Sequence, residues 1–456
     1  MTTDTIAAIS TPIGEGGIGI VRVSGPDAFA VAARVFRAKS GRPISGQRSH
    51  TVRFGTIADE GEEVDQALAT VFRGPNSYTG EDTVELSTHG GPVPLRRTLD
   101  LLLRAGARLA GPGEFTQRAF MNGKLDLAQA EAVIDSIRAK SDAGLKVAIR
   151  QLEGVLSRRV TAARDSLLSV CAAVEASTDF PDEVPEPDRP QLILQTGHVL
   201  DEVNRLLATA DSGRVYREGV SCAIVGRPNV GKSSLLNALL RDARAIVTEV
   251  PGTTRDVIEE SVTLGGVAIR LLDTAGLRDS EDTVERIGVE RTHAAMADAD
   301  VLMVVLDAST PLTREDEQAL DEARGRPAVV VLNKSDLRQF LVGADVTVRL
   351  PHAEVVSASM ATGAGLPEVE MALAKVVLDG KMAPQDVTVS RARHVASLSG
   401  ARNALEAVLA TLRGDWPLDL VAQDLQIAAR HLGEIGGQTA SERIIQEIFA
   451  RFCVGK

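Results

Sequence analysis

Residues 226–233 read Gly-Arg-Pro-Asn-Val-Gly-Lys-Ser, two glycines framing four residues and a Lys-Ser pair directly after the second. That spacing, G-x-x-x-x-G-K-[ST], serves the binding of phosphates. The glycines let the backbone wrap so that its N–H groups and the N-terminus of the following helix point at an anion. Lys232 is expected to bridge the β- and γ-phosphates and Ser233 to ligate Mg²⁺, with Asn229, Val230, Gly231 and Ser234 completing the cradle. The segment follows the apolar run Cys222–Val225 and opens a helical run, Ser234–Leu240, as a strand–loop–helix phosphate site requires.

The choice of base is written further along. Asn333-Lys334-Ser335-Asp336 follows an apolar strand, and Ser357-Ala358-Ser359 follows another. Both resemble the N-K-x-D and S-A-x guanine-recognition elements of P-loop GTPases. Asp336 can accept both N–H bonds from the N1/N2 edge of guanine, whereas adenine would leave that carboxylate unpaired. A missing partner of this kind costs on the order of 10⁴ in selectivity. Asp273-Thr274-Ala275-Gly276 is expected to hold Mg²⁺ through water at Asp273 and to place Gly276 near the γ-phosphate. Gly252-Thr253-Thr254 supplies Thr254 as a second hydroxyl ligand for Mg²⁺. Leu277 stands where Ras-type GTPases carry a water-orienting Gln, so another group must organise the attacking water. Arg255, Arg278, Glu281, Asp282 and Glu285 are the nearby candidates.

The elements that must position these residues are legible in outline. From Val215 to about Leu378, apolar strands (SCAIVG, VAIRLLD, VLMVVLD, AVVVLN, EVVS) alternate with helices, the pattern of a parallel sheet covered on both faces. Residues 1 to about 120 alternate β-type runs (Thr5–Ile9, Gly19–Val23, Ala67–Phe72, Thr83–Ser87) with turns and a helix near Leu95–Arg104, an α+β texture. From Leu125 to about Thr178 the chain reads as long helices without proline. Pro181–Pro190 breaks it, another helix follows, and the last 75 or so residues return to helix. Helical texture on both sides of an α/β unit implies an inserted domain. The expected fold class is therefore multidomain: α+β (1–120), all-α (121–215 and 381–456) and an inserted α/β Ras-like P-loop domain (216–380).

Composition narrows the partners. The 456 residues are 44% hydrophobic and 25% charged, an ordinary soluble chain. Cys171, Cys222 and Cys453 lie far apart, which fits a reducing compartment and no zinc site. No apolar run is long enough to span a bilayer, and the first residues have no basic signal region, so a cytoplasmic chain is expected. The formal charge of −12 argues against coating nucleic acid, and 3% aromatic residues are too few for a stacking platform. If nucleic acid is handled, a local patch or a partner must do much of the gripping. Only nine of the 50 basic residues are lysine, and Lys124, Lys232, Lys334 and Lys456 all fall in motifs.

Six segments carry a family resemblance. AIVTEVPGTTRD, DTAGLRDSEDTVERIG and the terminal FCVGK, with the N-terminal TPIGEGGIGIVRVSG, GPNSYTGEDTVELSTHGG and GPGEFTQRAFMNGKLDLAQAEAV, resemble the MnmE (TrmE) family of tRNA-modification GTPases over the whole chain. The resemblance implies Glu285 as the catalytic carboxylate that orients water. It implies a bound K⁺ in place of an arginine finger, held by Asn229, Thr248, Val250 and Thr253, with Glu249 and Pro251 in the same nucleotide-facing loop. It implies an N-terminal domain that binds 5-formyl- or methylene-tetrahydrofolate through Arg22, Glu85, Lys124 and Lys456 at a homodimer interface. Cys453 becomes a possible functional thiol. The implied partners are the flavoprotein MnmG, carrying FAD and NADH in a heterotetramer, and tRNA, whose wobble uridine U34 gains an aminomethyl or carboxymethylaminomethyl group at C5. The alternative is a GTP-dependent regulatory switch in ribosome assembly or at a membrane. His89 and Trp416 read as core or turn residues.

Overall fold

The computed structural model describes residues 4–242, 260–273, 299–378, 387–414 and 416–456. The chain divides into two units, residues 1–134, 152–199 and 403–456 in one and 135–151 with 200–402 in the other.

The first unit is built on a seven-stranded sheet. Its strands are β1 (Ile6–Ile9), β2 (Gly19–Ser24), β3 (Phe36–Ala38), β4 (Thr51–Asp59), β5 (Glu62–Phe72), β6 (Thr83–Thr88) and β7 (Arg108–Leu109), in the order β3-β4-β5-β6-β2-β1-β7. Alternation decides the faces. Val21, Val23, Val84 and Leu86 point into a core with Leu95 and Leu102 of the helix Pro92–Arg104, while Arg22 and Glu85 point the other way. The helical part pairs Val155–Asp179 with Asp419–Gly436. Leu156, Val160, Ala163, Leu167, Val170 and Val174 recur every three or four residues, as do Val421, Leu425, Ala428, Leu432 and Ile435, so each helix buries one stripe. Phe449 and Phe452, with ring centroids 5.4 Å apart, pack on Leu127, Ala130 and Val133.

The second unit holds a six-stranded sheet of β8 (Val220–Val225), β9 (Glu260–Leu264), β10 (Val267–Asp273), β11 (Val301–Asp307), β12 (Ala328–Asn333) and β13 (Glu354–Ser357), ordered β13-β12-β11-β8-β10-β9. Cys222, Ile224, Leu235, Leu239, Val369 and Leu373 form the core on one face; Ala223, Val225, Val304, Leu306, Leu320 and Val346 form it on the other.

One sequence expectation needs revision. The sheet is not wholly parallel, because β9 runs antiparallel to β10. Gly265 and Gly266, at φ +58° and +81°, make the two-residue turn between them, a geometry that glycine adopts without Cβ strain. The helical stretch from Leu125 consists of three helices, Leu127–Arg138, Asp142–Leu152 and Val155–Asp179. Ser141 caps the second by accepting from Gly144 N at 3.1 Å, and Gly154 separates the third at φ +74°.

Candidate functional site

The carboxyl ends of β8, β11, β12 and β13 gather the phosphate-loop and guanine-type residues at one edge of the sheet, where open α/β folds bind ligands. β8 ends at Val225, Gly226 turns at φ +147°, and the helix Lys232–Asp242 begins at once. A Cβ on Gly231 would collide with Asn333 Nδ2, so this loop and the Asn333 strand can meet only through glycine. Asn229 holds a left-handed φ of +62°, which asparagine tolerates better than most residues. Lys232 Nζ donates to the carbonyls of Gly226 at 2.7 Å and Arg227 at 2.9 Å, folding the ammonium over the loop. Ser233 and Ser234 are exposed at the helix N-terminus.

Asn333 is buried and ties two motifs together. Its Nδ2 donates to Val230 O at 2.7 Å, and its Oδ1 accepts from Met360 N at 3.0 Å. Ser359 Oγ donates to Asp336 Oδ1 at 2.5 Å, and Ser335 N donates to Ala358 O at 3.1 Å. The structure thus brings together Asn229, Val230, Gly231, Lys232, Ser233, Asn333, Lys334, Ser335, Asp336, Ala358 and Ser359. Ser357 closes β13 beside Leu332. The backbone of Asp273 ends β10 beside Ile224 of β8. Thr248, Glu249, Val250, Pro251, Gly252, Thr253, Thr254, Thr274, Ala275, Gly276 and Glu285 lie outside the described residues, as do Arg255, Leu277, Arg278, Glu281 and Asp282.

Sequence reasoning missed Asp307 and Arg227. Asp307 ends β11 opposite Asn333 and accepts from Lys334 Nζ at 2.6 Å, from Ser309 Oγ at 2.6 Å and from Ser309 N at 3.0 Å. Burial pushes its carboxyl up, but Lys334 and Ser309 outweigh that and hold it below the ordinary aspartate value. Arg227 donates to Thr310 Oγ1 at 2.8 Å and lies 3.3 Å from Asp316, so the loop's first variable residue is anchored to the same edge. An aspartate closing an apolar strand just before the Asn-Lys strand was the available signal.

A second constellation sits on the first unit's sheet. Arg22 and Glu85 are direct cross-strand partners on β2 and β6. Arg22 Nε and Nη2 reach the same Glu85 oxygen at 2.9 and 2.8 Å. The guanidinium lies over the rings of Tyr78 and Phe115, its Cζ 5.6 and 5.5 Å from their centroids. Arg22 Nη1 is buried with no hydrogen-bond partner, a donor that a ligand oxygen would satisfy. The chain's far end returns here. Val454 bridges Pro112, Gly455 O accepts from Ser10 Oγ at 3.2 Å, and burial together with Arg22 lowers the Lys456 pKa against the opposing pull of Glu85. Lys124 is exposed and donates to Pro75 O at 3.0 Å. Cys453 is exposed. Behind this face Arg118, 2% exposed, donates to Asp4 and Glu114 at 2.8 and 3.0 Å and approaches Glu81 at 3.3 Å. His89 and Trp416 are exposed loop residues rather than core, the first bonded to Asp65 at 2.6 Å.

Among the described residues no helix is long and apolar enough to cross a membrane. Two family models match the chain: "GTP-binding protein TrmE N-terminus" over residues 5–124 and "MnmE helical domain" over residues 127–453. A relative from Symbiobacterium thermophilum, named tRNA modification GTPase MnmE, is 49% identical over 459 residues and covers 100% of both chains. Relatives of the same name from Geobacillus kaustophilus and Moorella thermoacetica are each 47% identical, covering 99% and 100% of both chains.

Proposed function

This chain belongs to the MnmE family of tRNA modification GTPases, and from that premise we propose how its residues divide the work. It is a GTP hydrolase with an N-terminal domain, a helical domain and a P-loop GTPase domain. Asp336, held by Ser359, reads the guanine edge. Asn333 keeps that reading surface in register with the phosphate loop through Val230, and this bond is the observation that carries the nucleotide assignment. Lys232 and the N–H groups of the loop receive the β- and γ-phosphates. Ser233, with Thr254 and Asp273, holds Mg²⁺, which when bound neutralises charge developing on those phosphates. Asn229, Thr248, Val250 and Thr253 would hold K⁺, which would supply the positive charge an arginine finger gives elsewhere. Glu285 orients the attacking water.

On the first unit, Arg22, Glu85 and Lys456 hold a tetrahydrofolate derivative (5-formyl or methylene), with Lys124 at the margin. The donor set fits: Glu85 accepts from an amino–amide edge, Arg22 Nη1 has a donor to give, and Lys456 offers an ammonium to a carboxylate. Acting as a homodimer in the cytoplasm with MnmG, which carries FAD and NADH, the enzyme modifies C5 of U34 in a set of tRNAs. GTP hydrolysis drives a conformational cycle in the complex.

Mass spectrometry of nucleosides from bulk tRNA tests this reading. Cells lacking the gene should lose the 5-aminomethyl-type wobble uridines, the wild type should restore them, and Glu285→Ala should not. An unchanged nucleoside profile in the deletion strain would overturn it.

A further inference from the structure

Residues 28–58 carry Arg34, Arg37, Lys39, Arg42, Arg48, His50 and Arg53 and no Asp or Glu, in a chain whose formal charge is −12. The segment includes β3, which ends the sheet and pairs only with β4. Two arginines shape the loop between these strands. Arg53 Nη1 donates to the carbonyls of Arg42 and Pro43 at 3.2 and 2.8 Å, and Arg73 Nη2 to those of Ser45 and Gln47 at 2.5 and 3.1 Å. Arg73 also stacks over Phe29, its Cζ 4.6 Å from the ring centre.

Arg37, Lys39, Arg42 and Arg48 are left exposed, and among the described residues none of the four has an ion-pair partner. Four exposed arginines elsewhere are paired: Arg205, Arg324, Arg349 and Arg451 each lie 3.0 Å from a carboxylate. Asp59, the first acid after the segment, is taken by Arg104 at 2.8 Å. Arg37 opposes Thr56, and Lys39 Nζ sits 5.5 Å from the Phe54 ring, so both cations share the sheet face that exposes Val52 and Phe54.

We propose that this basic edge of the N-terminal sheet is the surface on which the chain receives the phosphate backbone of tRNA. The proposal rests on the tRNA-modification reading and adds to it a place of contact. Four structured cations without protein counter-ions bind a polyphosphate by releasing its condensed ions. The acidic remainder of the chain repels the same polyanion, which confines the contact to this edge and orients the RNA. Exposed Phe54 adds one aromatic face for an unstacked base.

The test measures binding of a transcribed tRNA to the full chain by fluorescence anisotropy across a salt series. Arg37→Gln, Lys39→Gln, Arg42→Gln and Arg48→Gln together should weaken binding at least about tenfold and reduce the salt slope by about 0.7–0.9 per lost contact. GTP hydrolysis without RNA should be unchanged. Neutralising Arg205, Arg324, Arg349 and Arg451 to Gln is the comparison and should alter neither quantity. Equal weakening by both quartets, no binding by the wild type, or loss of binding only to anionic phosphatidylglycerol vesicles would each overturn the proposal. The tRNA-modification reading fails separately, if the wild-type gene does not restore the modified nucleosides in the deletion strain.

Discussion

Lys334 Nζ lies 2.6 Å from Asp307 Oδ2, so the lysine of the guanine-type motif on β12 is pinned by a carboxylate from the neighbouring strand. Lys334 itself holds φ +63°, an uncommon conformation that a second constraint helps to keep. The nucleotide site therefore extends one strand beyond its recognisable motifs.

Replacing that carboxylate should loosen the site without touching the chemistry. Asp307→Asn is expected to raise the dissociation constant for a fluorescent GDP analogue by about tenfold, the worth of one charge-assisted hydrogen bond after allowance for solvent. The hydrolysis rate at saturating GTP should stay within about twofold. Unchanged affinity would show that Lys334 is held by its backbone alone.

The same carboxylate sets a pH dependence. Burial of Asp307 and partial burial of Asp300 raise their pKa, and both are held below the ordinary aspartate value by stronger opposing contacts: Lys334 and Ser309 for the first, Ser221 and Arg214 for the second. Stability from such groups is fully present above the unfolded value near 3.8 and is lost as pH falls through the lower folded values. Urea unfolding at a series of acidic pH values should show a flatter acid limb for Asp307→Asn than for the wild type.

Arg22 is positioned by aromatic rings as much as by Glu85. Tyr78 donates to or accepts from Thr116 Oγ1 at 2.9 Å and places its ring beside the guanidinium. Tyr78→Leu should weaken binding of 5-formyl-tetrahydrofolate about three- to thirtyfold, as loss of a partly desolvated cation–π contact would. Tyr78→Phe should retain most of it, and calorimetric titration distinguishes the two.

The three thiols should separate by reactivity. Burial, with Glu175 adding to it, pushes the Cys171 thiol up to about 11, and burial alone pushes Cys222 up to about 12. Cys453 is exposed. Iodoacetamide at neutral pH should label Cys453 in the native protein and reach the others only after unfolding, as peptide mass spectrometry would report.

Much of this was readable from residues alone because short-range chemistry controls it. β1, β2, β6 and the G-domain strands β8, β10, β11, β12 and β13 fell where apolar runs placed them, since one or two faces of each strand had to be buried. The Gly265-Gly266 turn, and hence β9, was also written locally but not used. Asp307 escaped because an aspartate at a strand end is common, and its meaning depends on which strand lies beside it. The nearness of Lys456 to Arg22 could be expected only from a family resemblance, since no local pattern joins residues at opposite ends of a chain.

That last contact has a consequence for biosynthesis. The sheet bearing Arg22 and Glu85 leaves the ribosome early, and the Arg22–Glu85 pair can close as soon as β6 forms. Lys456 and the Gly455 backbone that packs against Ile9 are translated only after nearly all the intervening helices and the second sheet. A nascent chain therefore carries a half-built cluster around Arg22 through most of its synthesis, and the cluster is completed only when residues 454–456 pack beside Ile9, Ser10 and Pro112.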